Sequence, residues 1–126
     1  MIFIIGGSYQ GKLDFARGHC RLSENEIEIC TEATAAPDAG KRCVAYIEEY
    51  AMNAVRAGRE PADWFRGHMD ALRDSVLIAT DVACGVVPIE PELRAWREAC
   101  GRMNSYLAQQ ADEVWRLFCG LPQRLK

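Results

Sequence analysis

The sequence predicts an α/β fold, a three-layer α/β/α sandwich built on a mostly parallel sheet of about five strands. Short apolar runs rich in β-branched residues alternate with longer segments of helical character. That alternation is typical of strands joined by crossover helices. The two most apolar runs, Met1–Ile5 and Ser75–Thr80, suit strands buried on both faces of a sheet. The chain of 126 residues fits a single domain, residues 1–126, and contains no repeat or linker.

The strands are placed by apolar runs that end at turn residues. Glu26–Cys30 alternates polar and apolar residues, as a half-exposed strand does. Gly85 to Pro88 predicts a loop, and Gly120 with Pro122 predicts a turn. In chain order the predicted strands are Met1–Ile5, Glu26–Cys30, Cys43–Ile47, Ser75–Thr80, Glu113–Phe118 and a short final Gln123–Lys126.

Helices are predicted between these strands. Pro61 and Pro91 mark two helix starts, because proline is tolerated at the first helical position. The predicted helices run from Lys12 to about Arg21, from Glu48 to about Arg59, from Pro61 to about Arg73 and from Pro91 to near Ala111. The longest carries an apolar stripe at helical spacing, which predicts core packing rather than cofactor contact: Leu93, Trp96, Cys100, Met103 and Leu107.

Composition argues against several classes of protein. The net charge is −3 and the isoelectric point is about 5.4, so the chain lacks the basic stripe of a nucleic-acid binder. No apolar run approaches the roughly 20 residues that cross a bilayer. The opening MIFIIGG is too short for a signal-peptide core. We therefore expect a cytoplasmic protein without nucleic-acid or membrane partners.

The six cysteines form no C-x-x-C pair and no zinc spacing. They stand among apolar neighbours, as in EIEIC and RLFCG. In a reducing compartment such residues are small buried hydrophobes more often than disulfide partners. We therefore expect no metal site and no disulfide framework.

The segment after the first strand carries the strongest chemical motif. Gly6, Gly11 and Lys12 match the phosphate-loop pattern G-x-x-x-x-G-K-[ST] between a strand and a helix. The glycines let backbone amides turn toward an anion, the helix start adds its positive dipole, and Lys12 would clamp the β- and γ-phosphates. The fold is thus predicted to be of the P-loop NTPase type, with nucleotide bound by Gly6, Gly7, Ser8, Tyr9, Gln10, Gly11, Lys12 and Leu13. The alternative is a glycine-rich turn that joins a strand to a helix by chance.

Position 13 departs from the motif. The pattern requires a Ser or Thr hydroxyl that coordinates Mg²⁺, and this chain has Leu13. The loop therefore predicts phosphate binding more strongly than phosphoryl transfer, which depends on the metal. Ser8 or Asp14 could compensate, although neither occupies the motif position.

Three stretches of the chain resemble the adenosylcobinamide kinase/guanylyltransferase family of cobalamin biosynthesis. The opening MIFIIGGSYQGKL is similar to the family's strand and Gly-Gly-x-x-x-Gly-Lys-Ser loop. TDVACGVVP at Thr80–Pro88 is similar to the family's Asn-Glu-Val-Gly-x-Gly-Ile-Val-Pro block. CGRMNSYLAQQADEVWRLFCGLP at Cys100–Pro122 is similar to its Gly-Arg-x-Asn-x-x-Leu-Ala segment and closing strand. The resemblance covers roughly residues 1–20 and 75–126.

The resemblance implies an enzyme that uses GTP, or ATP, to phosphorylate the aminopropanol hydroxyl of adenosylcobinamide and then transfers GMP through a guanylylated histidine. It implies a nucleotide site at the glycine loop, with Lys12 and Glu48 as catalytic residues, since Glu48 follows the third strand where the family has an acidic residue that could support a metal. Glu48 and Glu49 could equally begin a helix, where acids favour the dipole. Family members form oligomers, so a homo-oligomer is expected, with Trp64 and Phe65 as candidate exposed contacts.

The chain departs from this family in its middle. The guanylylated histidine should follow the second strand, and the segment Thr31–Arg42 contains none. His19 and His68 are the only histidines, and both are more typical of helix ends and surfaces than of nucleophiles. Together with Leu13, this leaves three hypotheses: a kinase-like enzyme without guanylyl transfer, a catalytically degraded nucleotide-binding or assembly module, and a kinase for another small molecule.

A cluster of arginines in the longest predicted helix is the remaining basic feature. Arg94, Arg97 and Arg102 are interpreted as solvated or paired with Glu98, with phosphate binding as the less favoured alternative.

Overall fold

The computed structural model describes all 126 residues and confirms the alternation of strands and helices. The strands are β1 Ile2–Gly6, β2 Ile27–Ile29, β3 Cys43–Ala45, β4 Val76–Thr80, β5 Glu113–Phe118 and β6 Leu121–Arg124. The helices are α1 Lys12–His19, α2 Ile47–Arg56, α3 Pro61–His68 and α4 Pro91–Gln110, with a short 3₁₀ turn at Glu24–Glu26. Pro61 and Pro91 begin helices as predicted.

The six strands form one sheet in the order β2-β3-β4-β1-β5-β6. Every neighbouring pair is parallel except β5 with β6. β1 therefore lies inside the sheet, between β4 and β5, and its carboxyl end opens onto an edge where ligands bind in parallel α/β sheets. The predicted α/β class and the mostly parallel sheet are confirmed, with six strands rather than about five.

Helices cover both faces of the sheet, but unequally. On one face, α1 packs through Ala16 into a cluster of 8 buried residues that includes Ile4 and Ile78. On the other face, α2, α3 and α4 enclose a cluster of 18 buried residues around Phe3 and Leu77. The apolar side chains of α4 at Cys100, Met103 and Leu107 are buried there, so the predicted core stripe is confirmed at its centre.

Among the boundaries that differ from the sequence-based ones, two have local reasons. The third strand ends at Ala45 rather than Ile47, because Tyr46 adopts a left-handed conformation with φ of 60° and α2 begins at Ile47. α3 ends at His68 rather than near Arg73, and turns follow it. Neither a left-handed tyrosine nor the early end of α3 is signalled by hydrophobic periodicity.

The prediction that Trp64 and Phe65 are exposed is wrong. The Phe65 side chain is 0% exposed and packs in the core formed by α2, α3 and α4. Trp64 is half-buried beside it, with ring centroids 5.1 Å apart. The helix α3 thus turns the Phe65 ring fully inward and leaves Trp64 only partly exposed.

The hairpin that joins β5 and β6 has a tight two-residue turn. Cys119 and Gly120 have φ of 52° and 76°, which is the left-handed pair of a type I′ turn. Pro122, predicted to lie in the turn, is instead paired with Leu117 inside β6. Because Phe118 and Leu121 close the hairpin, Pro122 falls in the next pair, whose backbone groups point away from β5. Because proline has no backbone N–H, the exposed edge of the sheet has one unpaired N–H donor fewer at this position.

The expectation that the cysteines are buried holds for Cys30, Cys43 and Cys100, while Cys20 is half-buried. Cys84 and Cys119 are exposed, which contradicts the expectation for those two. All six are free thiols.

None of the four helices has the length and apolar character that a membrane span requires.

Candidate functional site

The β1–α1 loop, residues 7–11, leaves the sheet at the carboxyl end of β1. Gly11 precedes α1 with φ of 88°, a conformation that strains any residue with a Cβ. Gly6 lies so close to β5 that a Cβ would stand 2.5 Å from the Leu117 carbonyl oxygen. Glycine is thus required by geometry at both ends of the loop. Tyr9, at the tip, has φ of 59° and is fully exposed.

The backbone amides of this loop and of the first turn of α1 are free. No backbone carbonyl accepts a hydrogen bond from any amide in residues 7–14, and the first helical bond runs from Phe15 N to Gly11 O at 3.0 Å. Consecutive free amides beside a helix start form a concave surface of positive partial charge. The natural occupant of such a surface is an anion with several oxygens, such as a phosphate chain.

Lys12 places an ammonium group inside this concave surface. Its side chain is 4% exposed, and its Nζ donates a hydrogen bond of 2.7 Å to the Gly7 carbonyl oxygen. Burial lowers the pKa of Lys12 below its ordinary value, while the negative charge of Glu48 acts in the opposite direction. The loop therefore combines free amides with one enclosed cation.

Glu48 faces the loop from the first turn of α2. It is 4% exposed, and its Oε2 accepts a hydrogen bond of 2.9 Å from the amide of Thr80, at the end of β4. The sequence left two interpretations open, an acid near a strand end or an acid at a helix start. Glu48 lies in the first turn of α2, and its carboxylate reaches the end of strand β4.

The loop opens into a cleft of about 930 Å³. Its far wall carries Glu32, Glu48 and Glu49, and half-buried Trp96 closes one side by donating its indole N–H to the Glu48 carbonyl at 2.8 Å. Burial, together with the charges of Glu48 and Glu32, raises the pKa of Glu49. The lining residues are Ser8, Tyr9, Gln10, Gly11, Lys12, Leu13, Asp14, Arg17, Cys30, Thr31, Glu32, Tyr46, Glu48, Glu49, Thr80, Val82 and Trp96.

The cleft brings together most of the residues predicted for the site. Ser8 to Leu13 and Glu48 all line it, while Gly6 and Gly7 shape the loop from behind. Sequence reasoning missed Thr31, Glu32 and Tyr46, and it assigned Trp96 only to the core. These residues come from segments without a motif, and only their positions at the ends of β2, β3 and α4 bring them to the cleft.

The side chains at the cleft offer few oxygen ligands for a divalent metal. Leu13 is half-buried and packs against the α1-side core, so position 13 offers no oxygen. No group of three or more His, Cys, Asp or Glu side chains is arranged to hold a metal ion. Ser8 and Asp14 are exposed, and the one buried carboxylate, Glu48, already uses one oxygen on the Thr80 amide. These residues do not fit a resident Mg²⁺ site.

The comparison with protein families matches residues 43–125 to the cobinamide kinase / cobinamide phosphate guanyltransferase model. That segment is well over half of the chain. The chain belongs to this family.

Two relatives in the cobinamide kinase family are named in the same way, as bifunctional adenosylcobalamin biosynthesis proteins CobU. The one from Salmonella typhimurium is 26% identical over an alignment 128 residues long, gaps included, that covers 86% of this chain and 71% of the relative. The one from Escherichia coli is 37% identical over 51 residues, which is 40% of this chain and 28% of the relative. The alignment with the Salmonella relative is longer than this chain. The relative therefore has residues within the aligned region that this chain lacks.

The two histidines lie away from the cleft of this family member. His19, near the end of α1, stacks on Phe15 and places its Nε2 3.4 Å from Glu113. His68, at the end of α3, stacks on Trp64 with a centroid distance of 4.1 Å and contacts its carbonyl oxygen. Neither histidine lines the cleft.

The second loop at this edge of the sheet, the β4–α4 loop of residues 81–90, is closed by an arginine. The guanidinium of Arg97 donates hydrogen bonds to the carbonyl oxygens of Ala83, Gly85 (2.9 Å) and Val86 (2.7 Å). The interpretation that Arg97 pairs with Glu98 is therefore wrong, because the loop folds back over α4 and offers three carbonyls instead.

The other two arginines of α4 have simpler surroundings. Arg102 pairs with Glu60 at 2.9 Å rather than with Glu98. Arg94 is exposed and takes part in no ion pair. The three arginines of α4 thus stand outside the cleft.

Proposed function

We propose that this protein binds the phosphate chain of GTP or ATP in the β1–α1 loop and belongs to the kinase side of its family. The observation that carries the proposal is the run of free amides at residues 7–14 around the buried ammonium of Lys12. Together they supply donors for a polyphosphate and one full positive charge to balance it. The match of Gly6, Gly11 and Lys12 to the phosphate-loop motif supports the same proposal.

Cobinamide is the proposed phosphate acceptor. Family membership supports it, and the cleft extends beyond the loop toward Tyr46, Val82 and Trp96, where a second substrate has room. In the proposed step the acceptor hydroxyl oxygen forms a bond to the γ-phosphorus, and its proton passes to solvent water. The bond from that phosphorus to the bridging oxygen breaks, and the nucleoside diphosphate, GDP or ADP, leaves.

Each residue has a defined part in this step. The free amides hold the oxygens of the phosphate chain, and Lys12 stabilises the charge that gathers on the leaving oxygens. Glu48 is proposed to keep Lys12 protonated in spite of its burial, since its charge raises the pKa that burial lowers. No step is assigned to a metal, because the residues do not fit one.

Guanylyl transfer through histidine is not part of the proposal. The segment Thr31–Arg42 has no histidine, and neither His19 nor His68 lines the cleft. A covalent nucleotide intermediate on imidazole therefore has no candidate residue in this chain.

A second function rests on Leu13. Without an oxygen at that position, the protein can hold nucleotide and still transfer no phosphate, acting as a nucleotide-binding or assembly module. The absence of a fitting metal set favours this alternative for the chemistry, although both functions share the same phosphate site.

Calorimetric titration tests the shared site. GTP, ATP and GDP are titrated with and without Mg²⁺ into the wild-type protein and into Lys12→Ala. We expect binding, weakened at least about tenfold in Lys12→Ala, because a buried charged donor to phosphate is removed. Lys41→Ala is the matched control, since Lys41 bonds the Asn25 carbonyl outside the cleft and should leave affinity unchanged.

Mass spectrometry of adenosylcobinamide incubated with nucleotide separates the two functions. A product heavier by one phosphate supports the kinase, and bound nucleotide without product supports the module. If no nucleotide binds to the wild-type protein, both proposals are wrong.

A further inference from the structure

The β1–α1 loop has almost no support of its own. Its amides donate to no backbone carbonyl, and only two side-chain bonds reach its carbonyls, from the Lys12 ammonium to Gly7 and, at 3.4 Å, from Gln10 to Ser8. A loop with so few internal bonds samples many shapes unless something outside it holds it. Its shape must therefore be fixed by a contact elsewhere in the fold.

Gln10 makes that contact, across 109 residues of sequence. Its side-chain Oε1 accepts a hydrogen bond from the amide of Cys119, and its carbonyl oxygen accepts a second one from the amide of Gly120 at 3.1 Å. Its Nε2 lies 3.4 Å from the Ser8 carbonyl, back inside the loop. One residue thus joins the loop to both amides of the β5–β6 turn.

The turn is a rigid partner for this contact. Cys119 and Gly120 are both left-handed, so the turn is tightly defined by its two strands. The two backbones also come close, since a Cβ on Gly11 would lie 3.6 Å from the Cα of Gly120. The loop rests on the end of the hairpin, and Gln10 is the bonded point of contact.

We propose that Gln10 is a positioning residue that holds the free amides in the arrangement that receives phosphate, with the β5–β6 turn as its anchor. The inference rests on the proposed function of the loop. Gln10 acts through the amides rather than on the substrate. Without it, only a fraction of the molecules have the loop in the shape that binds phosphate, and the apparent affinity for nucleotide falls in proportion to that fraction.

The experiment combines two substitutions and a control. Gln10→Ala removes the side-chain acceptor, and Gly120→Ala strains the anchor, since nothing lies within 4 Å of the added Cβ but φ is 76°. Gln123→Ala is the matched control, a glutamine on the same hairpin that faces Arg116 rather than the loop. Affinity for GTP is measured by calorimetry, and amide order parameters of residues 7–11 are measured by NMR without ligand.

Gln10→Ala is expected to weaken GTP binding about fivefold, as the loss of one hydrogen bond implies. Gly120→Ala should weaken it less, and the double variant should bind as Gln10→Ala does, because both changes act on one contact. The order parameters of residues 7–11 should fall in Gln10→Ala and stay unchanged in Gln123→Ala.

Two results would overturn the inference. One is a Gln10→Ala loop as ordered as the wild-type loop, and the other is losses of affinity that multiply in the double variant, which would place Gln10 directly on the ligand. If the wild-type protein binds no nucleotide, the proposed function fails separately, and the order parameters still decide whether Gln10 positions the loop.

Discussion

Two loops leave the same edge of the sheet from adjacent parallel strands, and they are built in opposite ways. The β1–α1 loop keeps its amides free and encloses a cation. The β4–α4 loop directs three carbonyl oxygens at one side chain, Arg97, so its cation is already bonded within the protein. A cation that faces the cleft can meet a ligand, whereas a cation enclosed by the carbonyls of its own loop cannot. Lys12 lines the cleft and Arg97 does not, so the contrast favours the β1–α1 loop as the candidate site.

The largest effect is expected from Gly6→Ala, at the start of the β1–α1 loop, which we call the open loop. The added Cβ would meet the Leu117 carbonyl oxygen at 2.5 Å, so β1 and β5 must separate. We expect a loss of about 3 kcal/mol in the free energy of unfolding, at the upper end of overpacking costs. Urea denaturation measures it.

Gly18→Ala is the control for Gly6→Ala. Gly18 lies in α1 with nothing within 4 Å of an added Cβ, so alanine should raise stability by roughly 0.5–1 kcal/mol. Equal stability of the two variants would show that Gly6 is not held by close contact.

Arg97→Met tests whether Arg97 holds the β4–α4 loop, which we call the closed loop, against α4. Removal of the guanidinium leaves three carbonyls to water, and charged hydrogen bonds contribute about 1.5–3 kcal/mol. We expect a loss of about 2 kcal/mol in the free energy of unfolding, at the middle of that range, with lower backbone NMR order parameters confined to residues 83–89. Arg94→Met, on the same helix and without an ion pair, should change neither measurement. A similar effect in both variants would mean that Arg97 does not close the loop.

Leu13→Ser should increase the difference between the two loops, because it gives the open loop the hydroxyl oxygen that the phosphate-loop motif has at position 13. A serine hydroxyl adds one ligand for Mg²⁺ beside the phosphates, so GTP affinity should rise roughly tenfold when Mg²⁺ is present and not otherwise. Leu13→Ala loses the same packing without gaining an oxygen and should show no response to the metal. Metal dependence in both variants, or in neither, would contradict this explanation of position 13.

The smallest expected effect concerns the acidic wall opposite the open loop. The pKa of Glu49 is raised by burial and by Glu48 and Glu32, so its carboxyl stays neutral to a higher pH than an ordinary glutamate. As pH rises through that raised pKa, a negative charge appears in the cleft and should weaken phosphate binding about twofold to threefold.

Glu49→Gln should remove this part of the pH dependence while leaving the titration of the nucleotide itself. Calorimetry of both proteins over the same pH series measures the difference. Identical pH profiles would show that Glu49 does not act on the ligand.

The sequence predicted those parts of the molecule that depend on local pattern. Buried strands such as β4, the helix start at Pro91 and the loop from Gly6 to Leu13 follow from apolar runs, proline position and a motif, and all are in place. The contacts of Gln10 and Arg97 could not be predicted, because each depends on backbone groups brought close only by the completed sheet. Phe65 was misplaced because a short helix gives too few residues to show which face is buried.

The two exposed thiols have a practical consequence. Cys119 stands on the turn that anchors the open loop, and Cys84 stands on the closed loop, while the other four cysteines are buried or half-buried. The Cys84 thiol donates to Asp81 at 2.8 Å, which raises its pKa and slows its reaction with alkylating reagents. A dye can therefore be attached first to Cys119, beside the proposed nucleotide site and without any substitution, and a second dye attached afterwards to the slower Cys84 would allow a distance measurement between the two loops.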